Sequence, residues 1–257
     1  MRAFLIGLQF LTRISIVRQS EWTEEDFGRS VRYFPAVGAV LGLIYVAIMF
    51  SAIELTGGRL PTFYAGLIFL LTVALTGGIH CDGFMDTFDG LFSGRDRERM
   101  LEIMKDSRVG AFGVVSFVTL ALIEIATLGE LAGLSTENLL TAIYAMPIVG
   151  RLMMVFVIGL FPYARASGMG KAFSDRTDGR TMIFSTVEAI ILLAPLMIAS
   201  GEIFLTALMG SMMAFMYAFY FGYYAKKKLG GVTGDIYGAV ELQSELIFLI
   251  AFLIIRA

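Results

Sequence analysis

Three aspartates, Asp82, Asp86 and Asp89, stand four and three residues apart in the segment HCDGFMDTFDGLFSG. At about 100° per residue, that spacing gathers them within roughly 60° of one another on a helix, as one stripe of carboxylates. Like charges in a row repel unless something positive sits among them. An all-oxygen donor set suits a hard divalent cation, Mg²⁺, Mn²⁺ or Ca²⁺, better than a soft metal. The competing reading, a solvated acidic face, sits poorly with Phe84, Met85, Phe88, Leu91 and Phe92, which surround the acids with packing residues.

Downstream, Arg95, Arg97, Arg99, Lys105 and Arg108 place five cations within 14 residues. Beside a carboxylate-bound metal, such cations suit a phosphate group, which metal and Arg or Lys can hold together. Arg97 and Arg99 are read as partners of Asp96 and Glu98 or as topology determinants. Arg95, Lys105 and Arg108 are the candidates for substrate, and Asp106 is a candidate to complete the metal shell. The only histidine, His80, is either a hydrogen-bonded boundary residue or a proton acceptor near the metal. Cys81 has no activating partner in sequence and reads as a small packing residue.

Two other segments carry polar chemistry. FPYARASGMGKAFSDRTDGR holds Arg165, Lys171, Arg176 and Arg180, which suit either an anionic ligand or control of topology. GGVTGDIYGAVELQSE surrounds Asp235 with glycines and continues into Glu241 and Glu245, whose spacing puts both on one helical face. Ionisable groups inside a membrane span are costly and face the bundle interior, where Arg151 is a candidate partner for one of them.

The elements that must position these residues are set by composition. The chain is 57% hydrophobic and 16% charged, against roughly 45–50% and 25% for soluble domains, so a polytopic all-α membrane bundle is expected. The net charge of −2 carries no basic excess and excludes a nucleic-acid footprint. A spanning helix needs about 20 mainly apolar residues. Seven stretches meet that need: 32–55, 61–79, 110–129, 139–160, 182–199, 203–225 and 238–256. Residues 3–11 are too short to span and are expected as a retained interfacial or re-entrant helix, since Arg13 and Arg18 stand where a signal-cleavage site would fall. Gly38 and Gly42 have the spacing that lets helices approach closely in lipid.

Lysine and arginine resist translocation, so their distribution orients the chain. Segments 18–32, 80–109, 161–180 and 226–237 hold fifteen of them, while 56–60, 130–138 and 200–202 hold only Arg59. The former are therefore expected in the cytoplasm, as polar loops on one face of a single membrane domain spanning 1–257. The absence of visible internal repeats weakens a transporter reading.

The run HCDGFMDTFDGLFSGRDRERMLEIMKDSRVGAFG, together with LIGLQFLTRI, YARASGMG and GGVTGDIYGAVELQSE in matching order, closely resembles the cobalamin synthase family of membrane-bound adenosylcobinamide-GDP ribazoletransferases. The resemblance covers nearly the full chain; Cys81 stands where the family carries leucine or glutamate, a position not expected to bind metal. It implies Mg²⁺-dependent transfer of adenosylcobinamide phosphate from adenosylcobinamide-GDP to α-ribazole or its 5′-phosphate, with release of GMP, in the inner membrane. Under it, Asp82 and Asp86 hold Mg²⁺, Asp89 or His80 accepts the hydroxyl proton, Lys105 and Arg108 steady phosphate oxygens, and Asp106 and Asp235 join the metal shell or orient the second substrate. A homo-oligomer, or association with other cobamide-assembly enzymes, stays open.

Three other classes compete. A membrane prenyltransferase also holds diphosphate through aspartates and Mg²⁺. A CDP-alcohol phosphotransferase shares the setting, but its pattern begins D-G-x-x-A-R, where this chain has Asp86 and Thr87. A cation transporter would concentrate its ionisable groups at mid-membrane, whereas most here fall in the polar segments.

Overall fold

The computed structural model describes residues 2–17 and 23–257; Arg18, counted among the orienting cations, lies outside the described residues. Regular structure among the described residues is helical, apart from an isolated bridge between Tyr163 and Val232. The helices are α1 (Arg2–Leu11), α2 (Glu24–Ser30), α3 (Phe34–Thr56), α4 (Pro61–Thr76), α5 (Ile79–Leu91), α6 (Arg97–Ile103) and α7 (Ala111–Leu134). They continue as α8 (Thr136–Leu160), α9 (Met169–Ser174), α10 (Gly179–Leu193), α11 (Leu196–Ala199), α12 (Gly201–Leu229) and α13 (Gly234–Arg256). Side chains of Ser135, Asp178, Ser200 and Thr233 accept backbone N–H groups at the starts of α8, α10, α12 and α13, satisfying donors a helix start leaves orphaned.

Six helical stretches among the described residues are long and apolar enough to cross a membrane, and α4 with α5 makes a seventh as a pair bent by 92°. Six of the seven expected stretches match such a helix, and 61–79 matches α4, which reaches spanning length only together with the bent α5; the fold is a polytopic helical membrane bundle. α8 is the central element: 78% of its apolar window is buried, against 22% for the α10–α11 stretch and 28% for α7. The peripheral helices turn Val115, Leu122, Ile183, Ile191, Met212 and Met216 outward. Such an apolar exterior is what lipid selects, because helices already satisfy their own backbone. α3 packs closely on α8 where Gly38 and Gly42 meet the carbonyls of Pro147 and Tyr144; a Cβ at either glycine would collide with that backbone, the close approach their spacing suggested.

The polar segments differ from loops. Most of 80–109 is the helices α5 and α6, 161–180 contains α9, and only residues 230–233 of 226–237 lie outside helix. The bend that turns α4 into α5 has a local cause. Gly77 and Gly78 take φ of 65° and 72°, a left-handed conformation that costs a glycine little and other residues more. Two such residues in succession end α4 and redirect the chain, so α5 leaves the direction of the span and carries its aspartates across the bundle's polar end.

Candidate functional site

The aspartate-bearing helix α5 crosses α13 at glycines. A Cβ on Gly83 would lie 2.8 Å from the Asp235 carbonyl oxygen, and one on Gly238 would lie 3.2 Å from the His80 Cα, so the pair can approach this closely only with glycine at Gly83. The crossing sets Asp82 and Asp86 beside Asp235. Asp86 lies within electrostatic reach of Asp82, Asp235, Asp89 and Arg165. The loop after α8 is held to the turn before α13 by Ala164 N–H donating to the Val232 carbonyl and Val232 N–H to that of Pro162, both 2.8 Å. That pairing delivers Arg165, whose Nη2 donates to Asp235 Oδ2 at 2.8 Å. The Thr233 hydroxyl donates to the same oxygen at 3.2 Å.

Asp82, Asp235 and Arg165 line a cavity of about 480 Å³ together with Lys105, His80 and Tyr163, while the half-buried Asp86 is not part of its wall. Phe10, Met154 and Phe173 form apolar parts of its wall. The cavity thus combines two carboxylates, one of them free, with two cations and an imidazole. Asp82 is exposed, and neither its side chain nor that of Asp86 takes a hydrogen bond or ion pair among the described residues. No three His, Cys, Asp or Glu side chains among the described residues converge tightly enough to enclose an ion. Mg²⁺ does not need such a cage, since it is commonly held by one or two carboxylates with waters and substrate phosphates. The free oxygens of Asp82 and Asp86 fit that mode of binding.

The remaining residues singled out in sequence divide into two groups. Asp89 lies on the expected stripe, but its two oxygens accept the Gly110 and Gly113 backbone N–H groups at 2.6 and 2.7 Å. It therefore caps the start of α7, whose first N–H groups have no partner within their own helix. Asp106 is bound by Arg108 through Nη2 at 2.7 Å and Nε at 3.1 Å, and those hydrogen bonds hold its carboxyl down at about 2. With Asp89, Arg99, Glu102 and Gly110 they line a separate, smaller cavity of about 170 Å³. The structure thus parts Lys105 from Arg108, three residues on. Arg95 is exposed on the α5–α6 connection and lines neither cavity.

Arg97 has a structural task, donating through Nε to the Leu229 carbonyl at 2.8 Å and through Nη2 to that of Ala164 at 3.0 Å. It pins α6 to the end of α12 and to the loop that carries Arg165. Arg99 pairs with Glu102 at 2.9 Å. Cys81 is a free, buried thiol. His80 is buried as well; its Nε2 has no hydrogen-bond partner and lies 3.9 Å from Glu241 Oε1. Deeper in the bundle, Arg151 Nη1 reaches Glu241 at 2.7 Å and Glu245 at 3.0 Å, with all three side chains 1% exposed. Arg151 therefore pairs with both glutamates, where the sequence offered it one.

Arg165 is the site residue that the sequence left undistinguished among the cations of its segment. Its signal was the glycine-flanked aspartate 70 residues further on, but only the backbone pairing at Val232 joins the two.

The bundle thus carries, at its polar end, a cavity lined by acids and cations. The sequence pattern described as Cobalamin-5-phosphate synthase matches residues 3–253. The chain is similar to the adenosylcobinamide-GDP ribazoletransferase of Desulfitobacterium hafniense (strain Y51), with 38% identity over 250 residues, 97% of this chain and 96% of the relative. It is also similar to the enzymes of that name from Fusobacterium nucleatum subsp. nucleatum, 33% identical over 275 residues and covering 99% of this chain and 98% of the relative. The Escherichia coli (strain K12) enzyme of the same name is 35% identical over 256 residues, 98% of this chain and 99% of the relative. No solved structure matches the chain. The chain belongs to the cobalamin-5-phosphate synthase family and is a transferase of cobalamin biosynthesis.

Proposed function

We propose that this protein transfers adenosylcobinamide phosphate from adenosylcobinamide-GDP to a ribose hydroxyl of α-ribazole or α-ribazole 5′-phosphate, releasing GMP. The observation that carries this reading is the convergence of Asp82, Lys105 and the Asp235–Arg165 pair on one cavity from four separate parts of the chain. The hydroxyl oxygen bonds to the phosphorus bearing the cobinamide, the bond from that phosphorus to the GMP oxygen breaks, and GMP leaves with the electron pair. Such a displacement asks little covalent chemistry of a protein. Its barrier falls through positioning of the two reactants and neutralisation of charge on the phosphate oxygens.

Each lining residue has a part in that task. Lys105 and Arg165 bind diphosphate oxygens, the latter pre-oriented by Asp235 so that its planar fork pays less entropy on binding. Asp82 in the wall and Asp86 one helical turn further along α5 would hold Mg²⁺, whose positive charge would neutralise the phosphate oxygens. Of the two expected proton acceptors, His80 borders the cavity, but its buried Nε2 lies 3.9 Å from Glu241 Oε1, and Asp89 is occupied by the start of α7, so the hydroxyl proton passes to water. Phe10, Met154 and Phe173 limit water around the reacting group. The cation bias of the polar segments supports a cytoplasmic cavity in an inner-membrane protein, where both water-soluble substrates meet it.

The test is GMP release by the purified protein supplied with adenosylcobinamide-GDP and either acceptor. Release should require both an acceptor and Mg²⁺ and should stop with chelator. A protein silent with both acceptors does not catalyse this transfer, and undiminished turnover in chelator removes the metal from it.

A further inference from the structure

A second cavity, of about 530 Å³, adjoins the first and shares Phe10, Ile79 and Asp82 with it. Its other lining comes from a different part of the molecule, the end of α1 and the bend between α4 and α5, and includes Gln9, Thr12, Arg13, Gly77 and Gly78. The first cavity instead faces α8, α9 and α13. An in-line displacement brings attacking and leaving groups to one phosphorus from different sides, and these two chambers meet at Asp82.

Arg13 is built into the second chamber. The Thr12 hydroxyl donates to the Leu8 carbonyl at 2.6 Å and accepts from Ile14 N–H at 3.1 Å, which shapes the turn after α1. Arg13 N–H donates to the Leu75 carbonyl at 2.7 Å and ties that turn to α4. The guanidinium then lies over Gly77, where any Cβ would overlap it. Among the described residues no carboxylate comes within ion-pair distance of Arg13, although Arg2, Arg29, Arg97, Arg99, Arg108 and Arg165 each have one. Gln9, in the same lining, spends its amide N–H groups on Ser15 Oγ and the Val17 carbonyl. Its buried Oε1 accepts nothing. The chamber therefore offers an unpaired planar cation, which suits a phosphate bidentately, and one unfilled acceptor, which suits a hydroxyl or N–H.

We infer that this chamber is the acceptor subsite, in which Arg13 binds the 5′-phosphate of a phosphorylated ribonucleoside acceptor and Gln9 Oε1 takes a hydrogen bond from its sugar or base. The assignment rests on the two-substrate transfer proposed above, with the diphosphate substrate held by Lys105 and Arg165 in the first cavity.

Direct binding to the purified full chain tests it, by titration calorimetry with α-ribazole 5′-phosphate and with α-ribazole. Arg13→Gln should raise Kd for the phosphorylated ligand by about tenfold or more, as loss of a charge-assisted fork implies, and leave Kd for α-ribazole within about twofold, which also reports an intact fold. Arg13→Lys should fall between. Unchanged affinity, equal weakening of both ligands in both variants, or failure of the wild type to bind either ligand overturns the assignment. Nanodiscs of phosphatidylcholine alone and with phosphatidylglycerol separate the acceptor's phosphate from a lipid headgroup. An Arg13 effect of equal size in both supports the acceptor, and wild-type binding that drops to the variant's level only with phosphatidylglycerol makes Arg13 a headgroup contact. Wild-type GMP release keeps the two proposals apart: binding as expected without release sinks the transfer and spares Arg13, and release with phosphate-blind binding does the reverse.

Discussion

Helices α5 and α13 carry ionisable residues into two settings within a few turns of each other. At the polar end, Asp82 is exposed, and the Asp235 and Arg165 side chains are 22% and 14% exposed in a cavity. Inside the bundle, Glu241 and Glu245 on α13 close around Arg151 with no exposure to speak of, and His80 and Glu124 are buried nearby. The side-chain chemistry is nearly the same. What differs is what completes each group's partners. In the cavity, water and an incoming anion are available, so free carboxylate oxygens and cations are affordable and useful. In the interior, a charge must find its counter-charge within the protein, and the Arg151 cluster is a way of joining α8 to α13.

That contrast can be broken from either side. The largest expected effect is at Arg151. Arg151→Met leaves Glu241 and Glu245 buried without their cation and should lower stability by about 3–5 kcal/mol, seen as poor accumulation in membranes or early thermal unfolding in detergent. The triple variant that also carries Glu241→Gln and Glu245→Gln should recover much of the loss; a single variant as stable as wild type would make the cluster irrelevant to folding. Next comes Asp82→Asn, which should leave protein amount and melting unchanged yet cut GMP release on the order of 100-fold or more, the scale seen when one preorganised transition-state contact is lost. Near-wild-type turnover removes Asp82 from the site. The smallest effect is expected at Asp89, which sharpens the boundary between the regions. Asp89→Ala deprives two backbone N–H groups of their acceptor and should cost about 1–3 kcal/mol of stability, with turnover per folded molecule within a few fold. A loss comparable to that of Asp82→Asn at unchanged stability would return Asp89 to the chemistry.

Much of the fold was legible. Membrane spans are read from length and apolarity because lipid leaves the backbone no choice but helix, and six of the seven stretches match a spanning helix, the other being broken at Gly77 and Gly78. The stripe of Asp82, Asp86 and Asp89 was legible too, since helical spacing is a local property. The division of labour along it was not. Spacing treats Asp89 as equal to Asp82, and only the start of α7, more than twenty residues on, claims its oxygens. Lys105 and Arg108 look like one substrate clamp in sequence, yet the chain turns between them and leaves Arg108 with Asp106. The extent of helix in the polar segments was less legible, because a charged stretch such as Arg97–Ile103 in a hydrophobic chain reads as loop even where, as in α6, it is helix.

By itself the sequence determined the class of molecule, the spans and the inventory of acids and cations, because hydropathy and helical periodicity act over a few turns. Only the tertiary structure decided which of those charges share a cavity. Asp235 meets Asp82 because glycine lets α5 and α13 cross closely, Arg165 meets Asp235 because two backbone hydrogen bonds hold its loop at Val232, and Arg13 borders Asp82 because Gly77 and Gly78 bend the chain. Each of these is a contact between segments far apart in sequence, where spacing carries no information and partner and distance are set by packing.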